Sequence, residues 1–428
     1  MAVKRFEEIN EKLRRGKAVV MTASEFKRYM RERGSISLKD VDVVTAATSS
    51  VMSGVSAVFQ IPVTEKGRFT RAVKAYINGV PAFPGPAPNE RLGLIDVVVY
   101  GTSVSIDDPE YNGGFLFRDL VEGREVEVVV ETREGFTVSR SLSMHDFTFA
   151  RMYTFRSCYR NYGAFVNLGG QELETIFAVT PMKGGMQEAT FAGCGELNPL
   201  ANDPELSVIG VGTRVLVNAA SGIIIGCGTR STREHPNLSV AADMWEMKAE
   251  YLGGFKTSAE PDTYISIAIP IPVISEAILR GLMEAVDEKL PMPVIDTNTR
   301  TPIAQDRYAS VWQGVDYEVS FNPENCIECE DCMVERICPT KAFNRELKAV
   351  NPVYCTHCGV CIHVCAGGAF SGKLGHIIVE GRRIPVVARF SSRAKAEKLA
   401  ELLKKRLLEG EFQLTPPVEK LHCRSSVS

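Results

Sequence analysis

Eight of the chain's twelve cysteines lie between Cys326 and Cys365. Cys326, Cys329 and Cys332 follow at two-residue intervals and lead to Cys338-Pro339; Cys355, Cys358 and Cys361 repeat the interval and lead to Cys365. Such a triplet lets three thiolates on one loop reach three corners of an iron–sulfur cubane, while the remote cysteine of the opposite half supplies the fourth ligand. The spacing predicts two [4Fe–4S] clusters, one held by Cys326, Cys329, Cys332 and Cys365, the other by Cys355, Cys358, Cys361 and Cys338. Zinc also takes cysteine tetrads, but it usually pairs two Cys-x2-Cys units across a spacer, and two triplets exceed four ligands per metal. A disulfide framework belongs to exported chains. The first fifteen residues instead alternate charged and apolar side chains, without the apolar stretch of a leader.

The segment Phe321 to Phe370 resembles bacterial-type two-cluster ferredoxin domains. It departs from them in the five residues Met333–Ile337 before Cys338, where three are common, and in Ala366 after Cys365, where proline is common. His357 and His363 lie inside the motif, but eight thiolates already complete both clusters, so both read as surrounding residues.

A nucleophilic cysteine must be a thiolate, which positive charge or free backbone N–H groups favour. Three cysteines outside the cluster segment are candidates on local sequence. Cys158 stands between Arg156 and Arg160, Cys194 between Gly193 and Gly195, and Cys227 between Gly226 and Gly228. Each could equally be a small buried apolar residue. Gly210-x-Gly212 and Gly226-x-Gly228 could cradle an anion, and Arg214, Arg230 and Arg233 could pair with a carboxylate or simply form a solvated face. Gly212, Arg214 and Arg230 are the candidate substrate-binding residues.

These groups sit in a chain of 428 residues with 45% hydrophobic and 24% charged residues and a net charge of −3. That balance supports a real core and argues against a nucleic-acid partner, which calls for a clustered basic excess. The most apolar stretch, Ile265 to Ile274, is short and broken by Pro270 and Pro272, so neither a membrane partner nor export is expected, and the location read is cytoplasmic. Phe6, Ile9 and Leu13 form a helical stripe ended by Gly16, and Thr22 with Glu25 makes a capping box for a second helix ended by Gly34. Val41–Thr45 reads as a strand running into a small-residue loop, Ala46–Gly54. Asn78-Gly79 marks a hairpin, and Glu125–Glu131 with Phe136–Ser141 a second. Short strands are expected at Thr175–Val179, Ala189–Ala192, Val208–Val217 and Ile223–Ile225, and a hairpin about Gly381. Ser392 caps an amphipathic helix whose Leu399, Leu403 and Leu407 need a larger partner than the cluster segment offers. The fold class is therefore mixed α/β (α+β), with a bacterial-type 2[4Fe–4S] ferredoxin domain inserted. The domains are 1–320 plus 371–420, interrupted by 321–370, with a disordered tail at 421–428.

Several segments together resemble the archaeal and bacterial homocysteine-biosynthesis family: Ile9–Lys12, Val41–Thr45, Cys158–Tyr162, Leu197–Pro204, Ile209–Arg214 and Gly410–Val418. With its internal cluster segment the chain is similar to the branch called methanogenesis marker 16, assigned as metalloproteins of methanogenic archaea. The resemblance implies sulfur incorporation into aspartate semialdehyde, through a persulfide on a cysteine in the N-terminal third of the domain. The first cysteine here is Cys158. Converting an aldehyde carbon into a thiol-bearing carbon requires two electrons, which two one-electron clusters could relay. The partners implied are an external electron donor or acceptor, a small anionic aldehyde substrate and a sulfur donor, with homo-oligomerisation open. The alternative is an iron–sulfur electron carrier or maturation factor in methanogenesis with no turnover of its own.

Overall fold

The computed structural model describes residues 4–423. Its largest element is a fourteen-stranded sheet. From one edge the strands run Val20–Thr22, Val43–Val51, Pro261–Pro272, Arg214–Val217, Ala220–Cys227, Leu238–Asp243, Phe149–Ser157, Val55–Pro62, Leu94–Tyr100, Val80–Pro84, Ala72–Ile77, Val126–Thr132 and Thr137–Leu142. Gly253–Lys256 pairs with Pro261–Pro272 outside that path. Only the first pair is parallel. A second, mixed sheet has the order Pro302–Arg307, Pro291–Asp296, Gly163–Val166, Ala189–Ala192, Arg382–Arg389, His376–Val379. The architecture is mixed α and β with several sheets, as the composition of elements predicts.

The local signals act as their chemistry requires. Thr22 Oγ1 accepts from Glu25 N, and the Glu25 carboxylate accepts from Thr22 N, opening the helix Ala23–Arg33; Gly34 closes it at φ +72°. Asn78 and Gly79 both take positive φ between the strands Ala72–Ile77 and Val80–Pro84. The helix Arg393–Leu408 lies on Val43–Val51 and Pro261–Pro272 of the large sheet. Leu399, Leu403 and Leu407 share one core with Val44, Ala46, Ala268 and Ile271.

Two expectations fail for identifiable reasons. The small residues 46–51 are not a loop: they continue the strand Val43–Val51, almost wholly buried because the helix Arg393–Leu408 presses on them. Thr175–Val179 and 208–213 are not strands. In the second case the buried Asp203 carboxylate accepts the N–H groups of Ser207, Val208 and Ile209, and so diverts the chain from a ladder.

The cysteine segment forms two short ladders, Ser320–Phe321 with Phe370–Ser371 and Phe343–Asn344 with Ala349–Val350, and two one-turn helices, Met333–Ile337 and Val360–Val364. Phe321, Phe343 and Phe370 meet at its centre. Of the proposed tail, 424–428 lies outside the described residues. Leu421 packs against the main core, and Cys423 Sγ lies 3.1 Å from Ser231 Oγ.

Candidate active site and its adjoining cysteine cavity

The strand Val43–Val51 ends in hydroxyl-bearing residues that find partners within the core. Ser49 Oγ donates to Tyr264 Oη at 2.9 Å, and Thr48 Oγ1 lies 3.6 Å from Cys194 Sγ. The Gly193 amide donates to Ser391 Oγ (2.7 Å), Ser391 Oγ to Ser50 Oγ (2.8 Å), and Ser50 Oγ to the Phe390 carbonyl (3.0 Å). This chain of bonds fixes one wall of a cavity of about 110 Å³ lined by Thr48, Ser50, Gly193 and Phe390. Tyr159, Tyr162, Phe165 and Phe177 form an aromatic wall, the last two stacked with centroids 4.0 Å apart.

Three arginines, Arg156, Arg230 and Arg300, line the cavity. Arg156 is pinned by its Nε donating to Thr229 Oγ1 at 2.9 Å, and Arg300 lies over the Phe177 ring. The carboxyl facing them is Asp262, buried, with Oδ2 accepting from Ser53 Oγ (2.7 Å) and Oδ1 from Thr263 N (2.8 Å). Burial raises its pKa against the opposing pull of those bonds and of Arg156. A cavity rimmed by three cations around a carboxyl that resists ionisation suits a small anion.

Of the residues singled out in the sequence, Arg230 lines this cavity. Gly212 and Arg214 do not. Gly210 and Gly212 are small because Pro417, Val418 and Glu419 press against them, and the Arg214 guanidinium covers the Phe412 ring. Cys158 and Cys194 are fully buried just behind the wall: the Cys158 amide meets Met52 Sδ, and Met52 and Gly193 line the cavity. Burial raises both thiol pKa values. The cationic flanks do not serve Cys158, because its left-handed backbone (φ +50°) turns the chain sharply. Arg156 points to Thr229 and Arg160 to the Pro204 carbonyl. Cys227 lies beside Cys423, and burial followed by that neighbour raises its pKa. Among the described residues that line the cavity, none is a cysteine. Sequence reasoning passed over Asp262, Ser53, Arg300 and the Phe390 wall. The one local signal was an acidic residue entering the otherwise apolar strand Pro261–Pro272.

A second cavity, of about 30 Å³, is lined by Cys338, Cys355, Cys358 and Cys361 together with Val319, Phe343 and Phe370. The remote Cys338 stands with the second triplet in this lining. The thiols perturb one another: burial and then the neighbouring sulfurs raise Cys361, and burial with Cys338 pushes Cys358 up to about 12. Metal coordination reverses that cost by replacing the protons. The two halves also match in detail, since Ala342 N donates to Cys338 Sγ (3.2 Å) and Ala369 N to Cys365 Sγ (3.4 Å). A sulfur-only donor set in an apolar pocket with N–H···S bonds fits an iron–sulfur cluster.

The match to known proteins assigns the class. Residues 18–414 match the family described as homocysteine biosynthesis enzyme, sulfur-incorporation, and the chain belongs to that family. It is 41% identical over 95% of its length to an uncharacterized protein of Methanothermobacter thermautotrophicus, covering 93% of that protein. It is also 31% identical, over 69% of its length, to the L-aspartate semialdehyde sulfurtransferase of Methanocaldococcus jannaschii, covering 59% of that protein. A sulfurtransferase of the same name from Methanosarcina acetivorans is 28% identical over 73% of this chain and 63% of its own. No solved structure matches. Among the described residues no helix is long and apolar enough to cross a membrane.

Proposed function

We propose that this chain incorporates sulfur into a small aldehyde-bearing acid such as aspartate semialdehyde, giving a homocysteine-like thiol. The observation that carries the reading is that Arg156, Arg230, Arg300 and Asp262 line one cavity, whose Phe390 packs with Cys358 of the four-thiol pocket. Arg230 and Arg300, both exposed, take the substrate carboxylate through bidentate bonds. Asp262, whose pKa burial raises, is the carboxyl placed to give a proton to the carbonyl oxygen. The aromatic wall and Phe390 limit water. The aldehyde carbon gains a C–S bond and a C–H bond and loses its oxygen as water. Sulfur at the sulfide level, two electrons and two protons complete the balance, the electrons coming from an external one-electron donor. Cys338, Cys355, Cys358 and Cys361 would hold one [4Fe–4S] cluster and Cys326, Cys329, Cys332 and Cys365 the other, each supplying one-electron transfer when bound.

The test is anaerobic incubation of the reconstituted protein with aspartate semialdehyde, sulfide and a low-potential reductant, with the product thiol alkylated and identified by mass spectrometry. Thiol formation that falls by about 100-fold or more in Arg230→Met and Arg300→Met supports the assignment; this is the loss expected when charge-assisted bonds worth ~1.5–3 kcal/mol each are removed. Wild-type protein with full iron content and no thiol product overturns it. The absence of a cysteine from the cavity lining favours the second reading, an electron carrier or maturation factor, which would then stand.

A further inference from the structure

Arg389 is among the largest buried side chains of the described residues, 1% exposed. Its Nη1 donates to the Asp316 carbonyl at 2.7 Å and its guanidinium lies over the Trp312 ring, but Nε and Nη2 have no partner among the described residues. An unpaired buried guanidinium is costly, so something anionic is expected opposite it. Its place in the chain identifies the site. The Arg389 amide donates to the carbonyl of Cys358, a residue of the four-thiol pocket, at 2.8 Å. The next residue, Phe390, is packed in one apolar cluster with Cys358, and also lines the arginine-rich cavity. One dipeptide therefore touches the four-thiol pocket on one side and the candidate active site on the other. The other cysteine set lies in the outer half, with Ile327 exposed beside it.

Building on the iron–sulfur reading above, we infer that Cys338, Cys355, Cys358 and Cys361 hold the inner cluster, that electrons cross from it to the cavity at Arg389–Phe390, and that Arg389 is the positioning residue that sets its reduction potential. One electron added to the inner site adds a negative charge next to Arg389, whose cation stabilises the reduced form and raises the potential. Each electron comes singly from an external protein reductant, by way of the outer site.

The experiment is an anaerobic redox titration of the full-length reconstituted protein followed by EPR, with Cys332→Ser used to identify the inner signal. Arg389→Met and Arg389→Gln should lower the midpoint of the inner signal and leave the outer one in place. Arg389→Lys should restore most of the shift, and it keeps the test open should the neutral variants fail to fold. Midpoints unchanged in the neutral variants, or both signals moving equally, overturn the role of Arg389 while the clusters stand. Wild-type protein that binds no iron on reconstitution overturns the cluster reading and this inference together.

Discussion

Cys338 shares its cavity with Cys358, not with the Cys326 triplet that precedes it in the chain. Cys338→Ser and Cys332→Ser should therefore damage different clusters. Wild type should carry roughly eight iron atoms per chain and each variant about half that, with a different EPR signal lost in each case. Loss of the same signal from both, or zinc in place of iron, contradicts the crossed arrangement.

Arg393 opens the helix Arg393–Leu408 with Nη2 2.6 and 2.7 Å from the two oxygens of Asp287, both side chains almost inaccessible, while its Nε donates to the Cys194 carbonyl. Removing one member leaves the other charged and buried. Arg393→Met should cost about 3–5 kcal/mol in chemical denaturation. A loss below about 1 kcal/mol would show that the pair does not hold this junction.

Asp262 provides a pH signature. Its folded pKa is raised by burial, so the folded protein holds a proton that the unfolded chain releases first. Wild-type stability should fall as pH rises from the unfolded value toward the folded one, and Asp262→Asn should remove that dependence. The gain of the Asn variant relative to wild type should therefore be larger at neutral pH than at pH ~4, read from urea midpoints. If Asp262 donates the proton to the carbonyl, the same variant should lose turnover while retaining substrate binding.

Gly114, in the first turn of the helix Gly113–Val121, approaches Gly254 of the strand Gly253–Lys256 so closely that a Cβ would sit 2.8 Å from the Gly254 Cα. Neither side is a flexible side chain. Gly114→Ala should lower stability by about 1–3 kcal/mol, measured by thermal unfolding, with the iron content unchanged.

What could be read in the sequence was what is local in the chain. The cysteine triplets were legible because their thiols follow one another within a loop. The capping box at Thr22 and the apolar stripe of the helix after Ser392 were legible because their signals lie close together in the chain. The cavity was not, because Arg156, Arg230, Asp262 and Arg300 come from separate strands and turns and meet only through tertiary packing. Cys158 misled for a related reason: neighbours in sequence were read as neighbours of the thiol, and a single left-handed residue separates them. The second part of the strand, over 46–51, looked like a loop because it carries small and hydroxyl residues instead of branched apolar ones. Their partners, Tyr264, Ser391 and Phe390, arrive from more than two hundred residues downstream.

The helix Arg393–Leu408 also governs when the protein can be finished. Thr45 Oγ1 donates to the Ala400 carbonyl across 355 residues of chain, and the helix seals the core over the strand Val43–Val51. Ordering such distant partners is slow, since the closure entropy comes due before the contacts form. During synthesis the large sheet must wait with an open apolar face until the cysteine segment, which precedes the helix in the chain, has left the ribosome. The cysteine segment is therefore complete before the main core closes, and a chain stalled at that stage would be the one most in need of a chaperone.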